Sequence, residues 1–320
     1  MMVYPLFTLG TAAVLMALQG PLKTQFFLGR RDLNLNGTSN MKEIPGTTIN
    51  TVNCFQEPTA GARSNRQRQL CHIFRHPGKP TLFFIGDSHT NAIIPLGEDI
   101  LNKANMNVAF MSRGGCPFPY FSPWGSNRHS EVRYRSCPQS SENEWNHLQG
   151  VVKQGDSIVI VSNLKGYLLG SQQEEASKAF VKVIGQFTTA MAQRGVNVIL
   201  FAPIPSFDSR EELHLPMTVC QQEWFRPQWS LSPLCQPVRI DRSAEVSVIA
   251  PVRRLLNQLD QSIPNLTVFD PFNSLCPPSQ NQCSTHAGQQ MLFSDSNHLT
   301  NEGVRHVSAA FLRFLGRKPS

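Results

Sequence analysis

The amino-acid sequence predicts an α/β fold in which helices cover both faces of a parallel sheet of about five strands. Two observations lead to this prediction. Short apolar or β-branched runs alternate with longer segments of helical periodicity from about residue 80 onward. Polar residues suited to chemistry come directly after these runs, at the carboxyl edge of such a sheet. The predicted strands are residues 81–85, 107–111, 156–161, 196–201 and 266–269, and the predicted helices are residues 92–103, 172–194, 243–262 and 301–315.

The first predicted strand leads into a short polar motif, Gly86-Asp87-Ser88-His89. A strand, a sharp turn and a helix in this order place the serine at the carboxyl edge of the sheet. The glycine lets the backbone turn tightly, and the first amides of the helix can stabilise negative charge that develops near the serine. Ser88 is therefore a candidate nucleophile. Asp and Ser are also ordinary capping residues, so this motif alone leaves a helix cap as an equal alternative.

The C-terminal part of the sequence supplies the partners that such a serine needs. Asp295 and His298 lie three residues apart, just before the last predicted helix. A serine is a weak nucleophile that needs a general base, and the base needs an orienting carboxylate. We therefore expect Ser88 to be the nucleophile, His298 to act as general base and then acid, and Asp295 to orient His298.

These motifs resemble the first and last blocks of the SGNH, or GDSL-like, hydrolase superfamily. Three features resemble more particularly the SGNH domain of bacterial acyltransferase-3 type glycan O-acetyltransferases: the Gly86-Asp87-Ser88-His89 variant, Cys116-Pro117 after a glycine pair, and His298-Leu299-Thr300 before the last helix. The resemblance extends over roughly residues 75–317. It implies a flavodoxin-like three-layer α/β/α SGNH fold.

The resemblance also implies an oxyanion hole. Its donors would be the backbone amide of Ser88, a backbone amide of Gly114 or Gly115, with Gly115 preferred, and the side-chain amide of Asn163. The glycines and the asparagine each come directly after a predicted strand. Both have an ordinary alternative, since the glycines can form a Gly-rich turn and asparagine is a common turn residue at a strand end.

Two long irregular insertions, residues 117–149 and 206–242, interrupt the alternation of strands and helices. Long loops of this kind often shape a binding site. The first insertion carries four aromatic residues that can either stack on sugar rings or form a small satellite core: Phe118, Tyr120, Phe121 and Trp124.

The chain is predicted to have three parts: a hydrophobic membrane segment with its flank (residues 1–31), a linker that wraps onto the domain (32–79) and the catalytic domain (80–320). Residues 3–19 lack charge and are just long enough to span a bilayer as one hydrophobic helix. Three interpretations stay open for them: an uncleaved membrane segment, a cleaved signal peptide and a buried core helix.

Eight cysteines indicate an oxidising compartment, with reduced cysteines in a cytosolic protein as the alternative. We pair each with its sequence neighbour, although connectivity cannot be deduced from sequence. The expected disulfides are Cys54–Cys71, Cys116–Cys137, Cys220–Cys235 and Cys276–Cys283.

The basic residues after the apolar run favour a cytoplasmic location for the C-terminal side. Three charges beside one helix are a weaker signal of topology than the eight cysteines. We therefore expect a membrane-anchored bacterial protein whose SGNH domain lies in the periplasm or outside the cell.

The net charge of +7 does not predict nucleic-acid binding, because the basic residues form no stripe with interleaved aromatics. No Cys or Cys/His spacing suits zinc. The serine chemistry requires neither a metal nor a bound cofactor. We expect a glycan or polysaccharide partner and no nucleic acid.

The nucleophile does not identify the acyl acceptor. A sugar hydroxyl as acceptor would make the protein an O-acetyltransferase of cell-surface glycans, and water would make it a carbohydrate esterase. The resemblance favours the transferase, with acetyl groups delivered across the membrane by an acyltransferase-3 partner protein. A carbohydrate-binding SGNH module without activity is the third interpretation.

Overall fold

The computed structural model describes residues 48–49, 71–74, 76–124, 134–207, 237–288 and 290–316, with backbone only for the first two ranges. The expectations for residues 3–19 and for the disulfides Cys54–Cys71 and Cys220–Cys235 lie outside the described side chains. Within the described residues, no helix combines the length and the apolar character needed to cross a membrane.

The strands are, in chain order, β1 (Thr48–Ile49), β2 (Cys71–Phe74), β3 (Thr81–Gly86), β4 (Asn107–Ser112), β5 (Ser157–Val161), β6 (Asn197–Phe201), β7 (Arg239–Asp241), β8 (Leu266–Phe269), β9 (Gln282–Ser284), β10 (His286–Ala287) and β11 (Gln290–Met291). The helices are α1 (Ser88–Ala92), α2 (Leu96–Asp99, continued by a π-helical turn over Ile100–Ala104), α3 (Cys137–Val151), α4 (Leu164–Leu168), α5 (Gln173–Ala192), α6 (Arg242–Ser262), α7 (Phe272–Leu275) and α8 (Asn301–Leu315).

A seven-stranded sheet in the order β1-β2-β4-β3-β5-β6-β8 forms the centre of the described part. Five neighbouring strands of this sheet, β4, β3, β5, β6 and β8, run parallel, as predicted. They are the five strands that the sequence indicated. β1 and β2 extend one edge in antiparallel orientation. They come from the segment expected to be a linker, so residues 48–49 and 71–74 of that segment belong to the sheet.

The core has two apolar layers, one on each face of the sheet. Along β3, Leu82 and Phe84 belong to the layer on the side of α8, where Phe84 lies 6.1 Å from Phe311 between ring centroids. Phe83 and Ile85 belong to the other layer, with the buried face of α5. Every residue of β3 is buried, because helices cover both sides. This confirms the three-layer α/β/α arrangement.

The helix predicted over residues 92–103 is wrong in its extent. α1 ends at Ala92, and a turn over residues 93–95 precedes α2. In a continuous helix the nitrogen of Pro95 would donate to the Asn91 carbonyl, and proline has no hydrogen there. The break gives Ser88 a helix of its own, only five residues long.

The insertion predicted over residues 117–149 also needs correction, because α3 occupies its second half. Phe118, Phe121 and Trp124 are not exposed for sugar binding, because they are buried in the core layer on the α5 side. Phe118 packs edge-on against Phe187 of α5, at 5.3 Å between centroids. These three aromatic residues therefore belong to a main core layer of the sheet, and neither the sugar-stacking nor the satellite-core expectation describes them.

Two of the expected disulfides lie within the described side chains and are confirmed. Cys116–Cys137 ties the loop after β4 to the start of α3, with 5.4 Å between the Cα atoms. Cys276–Cys283 joins the end of α7 to β9, with a Cα–Cα distance of 4.9 Å.

Candidate active site

Ser88 is the first residue of α1, two residues beyond the end of β3. The turn that carries it requires glycine at position 86, where φ is +152°. A Cβ atom on Gly86 would lie 2.0 Å from the carbonyl oxygen of Val161, at the end of the neighbouring strand β5. The close approach of β5 thus places its carboxyl end directly beside the serine turn.

The structure brings the three expected catalytic side chains together. Ser88 Oγ lies 2.6 Å from His298 Nε2, and His298 Nδ1 lies 2.6 Å from Asp295 Oδ2. The serine and the histidine are 210 residues apart in the chain. The side chains of His298 and Asp295 are 27% and 37% exposed, so both are open to solvent.

The loop that carries His298 holds Asp295 in a fixed orientation. Asp295 Oδ1 accepts hydrogen bonds from the backbone amides of Asn297 (2.9 Å) and His298 (2.7 Å), which leaves Oδ2 for the imidazole. Burial raises the pKa of Asp295, but the hydrogen bond and the charge interaction with His298 and these amides outweigh burial and lower the pKa below its ordinary value. The carboxylate is therefore ionised when it faces His298.

The same loop is anchored to the start of α8. The Ser294 amide donates to the His298 carbonyl (2.8 Å), and the Thr300 amide donates to the Leu292 carbonyl (3.0 Å). Thr300 caps α8 by accepting from the amide of Gly303 at 3.1 Å. A Cβ atom on Gly303 would lie 2.1 Å from the Leu292 oxygen, so only glycine lets the helix approach this closely.

Asp87 has a structural role that the sequence did not indicate beyond a possible cap. It is 1% exposed, and its Oδ1 accepts from the amide of His89 (2.8 Å) and from His89 Nδ1 (3.0 Å). Its Oδ2 accepts from the amide of Asn163 at 2.8 Å. Burial raises the pKa of Asp87, but the interactions with His89 and the two amides outweigh burial and lower the pKa. One buried carboxylate therefore joins the serine turn to the end of β5.

Asn163, an expected oxyanion donor, lies at the carboxyl end of β5 and caps α4. Its side-chain Oδ1 accepts from the amide of Gly166 at 3.0 Å, which leaves Nδ2 as the donor group of the side chain. A Cβ atom on Gly166 would lie 2.7 Å from that Nδ2. Asn163 is thus held by its backbone through Asp87 and by its side chain through Gly166.

The glycine pair, also expected to contribute a donor, lies in a turn next to the serine strand. The Arg113 amide donates to the Gly86 carbonyl (2.8 Å), and the Cys116 amide donates to the Arg113 carbonyl (3.1 Å). Gly115 has φ of +73°, and a Cβ there would lie 2.6 Å from the Tyr134 ring. The turn alone thus accounts for Gly115, and an oxyanion role for Gly114 or Gly115 stays a prediction.

His89 received no role from the sequence, yet it lies against the candidate base. Its ring stacks on the ring of His298, with 4.4 Å between centroids and 30° between the planes. Its side chain is 11% exposed. No local sequence pattern signals this contact, because it joins two segments that are distant in the chain.

A narrow pocket adjoins the site between α1, the ends of β5 and β6, and the His298 loop. Most of its walls are apolar, with Ile93, Val161 and Phe201 among them. Lys165 also lines the pocket, and its Nζ lies 3.0 and 3.1 Å from the two carboxylate oxygens of the buried Glu245. Within the described ranges, no group of three or more His, Cys, Asp and Glu residues could hold a metal ion.

The comparisons with known proteins concern both sequence and fold. A family model described as "SGNH domain (fused to AT3 domains)" matches residues 53–313. The periplasmic domain of a Salmonella ser. Paratyphi A lipopolysaccharide acetyltransferase is similar at 18% identity, over 75% of this chain and 85% of that chain, with a TM-score of 0.50. A putative SGNH hydrolase from Slackia heliotrinireducens is similar at 11% identity, over 74% and 100%, with a TM-score of 0.43. No curated protein matches the sequence.

Proposed function

Because the chain belongs to the family of SGNH domains that are fused to AT3 domains, we propose that it is an O-acyltransferase that acetylates hydroxyl groups of a cell-surface glycan. The observation that carries this proposal is the continuous hydrogen-bonded chain from Ser88 through His298 to Asp295. The similar periplasmic domain comes from a lipopolysaccharide acetyltransferase, which supports an acetyl group as cargo and a glycan as acceptor.

The first half-reaction acylates Ser88. Its Oγ attacks the carbonyl carbon of the acyl donor while His298 Nε2 takes the hydroxyl proton, for which the 2.6 Å contact is suited. The ionised Asp295 stabilises the resulting imidazolium through Nδ1. When the tetrahedral intermediate collapses, the bond to the leaving group breaks and His298 returns the proton to that group. An acyl ester of Ser88 remains.

The negative oxygen of the tetrahedral intermediate needs hydrogen-bond donors. We assign this role to the Ser88 amide at the start of α1, an amide of Gly114 or Gly115, and Asn163 Nδ2. All three donors follow the carboxyl ends of adjacent strands β3, β4 and β5. Each such donor stabilises the transition state by about 3–4 kcal/mol.

The second half-reaction transfers the acyl group from Ser88 to the acceptor. His298 takes the proton of a sugar hydroxyl, whose oxygen attacks the ester carbonyl, and then protonates Ser88 Oγ as that bond breaks. The same chemistry with water gives a carbohydrate esterase, and the exposed part of His298 is accessible to water. An inactive binding module is less well supported, because it has no need of three aligned catalytic groups.

The remaining parts of the proposal concern the cellular setting. We propose that residues 3–19 anchor the protein in the membrane, that residues 32–79 connect to the catalytic domain of residues 80–320, and that this domain faces the periplasm. An acyltransferase-3 protein would supply the acetyl group, in agreement with a family whose members are fused to AT3 domains.

The test uses the purified protein and a small activated acetyl ester, with and without oligosaccharide acceptors. Acetylated sugar and free acetate are both measured, and Ser88→Ala is the control. We expect acetylated sugar from the wild type and a loss of about 10⁴-fold or more in Ser88→Ala, with an unchanged unfolding temperature. Acetate without acetylated sugar would favour the esterase. Equal activity of Ser88→Ala would remove Ser88 as the nucleophile.

A further inference from the structure

The neighbour of the nucleophile, His89, forms a second Asp–His pair within the site. Its Nδ1 lies 3.0 Å from Asp87 Oδ1, and its ring face lies on that of His298. The mechanism above gives this imidazole no task. Its burial nevertheless costs free energy that an apolar side chain in the same place would not require.

The surroundings of the stacked pair are well defined. Asp295 and Ser88 bond the two nitrogens of His298, while the buried carboxylate of Asp87 faces His89. Lys165 is the only Lys, Arg, Asp or Glu among the described residues that line the adjoining pocket, and it pairs with Glu245 behind it. His89 thus contacts the base through its ring face, and among the described residues the nitrogens of His298 bond Asp295 and Ser88.

We propose that His89 is a positioning residue, which holds the His298 ring in the plane that joins Ser88 to Asp295 throughout the acyl-transfer cycle. The inference deepens the proposed function and rests on it. An ionised Asp87 accepts the Nδ1 hydrogen of His89, which fixes the orientation of the His89 ring. The stacked ring then restricts rotation of His298 when its bond to Ser88 breaks and re-forms during each half-reaction.

Asp87 extends this role to the opposite side of the site. Its second oxygen holds the backbone of Asn163, so the ring that supports the base and the proposed oxyanion donor share one buried anchor. Reacting groups must keep their geometry closely, since a displacement of about 1 Å can cost about 10²-fold in rate. A device that positions the base and the oxyanion donor together therefore acts on kcat more than on substrate affinity.

Two variants separate the hydrogen bond of His89 from its ring. His89→Asn keeps a donor for Asp87 and removes the stacked ring, and His89→Phe keeps an aromatic face and loses the donor. The control is His306→Asn, the same replacement at an exposed position of α8. Each full-length variant is assayed for kcat and KM with an activated acetyl ester, and for the rate at which a fluorophosphonate labels Ser88.

We expect His89→Asn to lose about tenfold or more in kcat, with KM within about twofold of wild type and labelling of Ser88 slowed in parallel. The kcat of His89→Phe should be at least about threefold higher than that of His89→Asn, because phenylalanine restores the ring face. His306→Asn should match the wild type. Unfolding temperatures are measured for all variants, because the fold must be intact for this comparison.

Three results would overturn the inference. One is wild-type kcat and labelling in His89→Asn, and another is an equal loss in His89→Phe and His89→Asn. A variant that unfolds under assay conditions while the other keeps full activity would assign His89 a merely structural role. A wild-type protein in which Ser88 is not labelled at all would instead refute the proposed function, and this inference with it.

Discussion

Replacing Asp87 by Asn changes one oxygen of a buried carboxylate into an amino group. The carboxylate accepts three hydrogen bonds, from the amide and the Nδ1 of His89 and from the amide of Asn163. Asparagine has one acceptor oxygen, which can serve the two donors of His89. Its amino group would then face the amide of Asn163, where two donors meet without an acceptor between them.

The magnitude follows from these contacts. A hydrogen bond to a charged group stabilises the fold by about 1.5–3 kcal/mol, and that of Asn163 is lost outright. The two bonds of His89 become neutral ones, which removes roughly a further 1 kcal/mol. Burying a neutral amide costs less than burying a carboxylate, and this offsets part of the loss. We expect Asp87→Asn to lower the free energy of unfolding by about 2–4 kcal/mol.

The pH dependence has a definite sign. The pKa of Asp87 is lower in the folded chain than its ordinary value of 3.8. Its contribution to stability is therefore complete above the pKa of the unfolded chain and is lost as the pH falls through the lower pKa of the folded chain. The difference between wild type and Asp87→Asn should be constant near neutral pH and shrink below about pH 4.

The difference in the free energy of unfolding is measured by urea unfolding, followed by circular dichroism. The pH is varied from about 3 to about 8, so that the range includes the pH at which Asp87 loses its charge. The matched control is Asp241→Asn, because Asp241 caps α6 from an exposed position by accepting from the Ala244 amide, and asparagine caps equally well. The control should be close to wild type near neutral pH, where Asp and Asn cap α6 equally well. An Asp87→Asn variant as stable as the control would refute the role of Asp87 as a buried anchor.

Two further predictions concern the His298 loop. Asp295→Asn should lower kcat by about 10⁴-fold, because the amide favours the wrong tautomer of His298; a loss below about tenfold, measured with the activated ester, would contradict the assignment. Gly303→Ala should destabilise the protein by about 1–3 kcal/mol in urea unfolding, because its Cβ would lie 2.1 Å from the Leu292 oxygen. Gly185→Ala, with open space at its Cβ in α5, is the control and should stabilise by about 0.5–1 kcal/mol; equal effects of the two replacements would show that the close approach at Gly303 is unimportant.

The sequence predicted the parallel strands well, because a strand that is covered on both faces reads as one continuous apolar run. It missed α3, whose buried positions are occupied by Cys137, Ser141, Glu144 and Leu148. Only one of these is an aliphatic residue, so no apolar stripe of helical period was visible. The failure came from side chains that are buried with polar partners or in a disulfide.

The candidate site also has residues that the sequence identified and contacts that it did not. Gly86, Ser88, Asp295 and His298 lie in two short motifs, which local chemistry and the family resemblance could identify. The bond from Asp87 to the Asn163 amide spans 76 residues, and the stacking of His89 on His298 joins the two ends of the domain. Such contacts depend on the order of strands in the sheet, which no spacing within the sequence encodes.

The most direct test of the account is a search for the acyl-enzyme itself. The full-length protein is mixed with the activated acetyl ester, quenched in acid within its first turnovers, and analysed by intact-mass and peptide mass spectrometry. We predict one added acetyl group on the peptide that contains Ser88, and its loss from the enzyme with the appearance of acetylated sugar when an oligosaccharide acceptor is added. Acetyl transfer that proceeds without any modified Ser88, or at an undiminished rate in Ser88→Ala, would contradict the central claim.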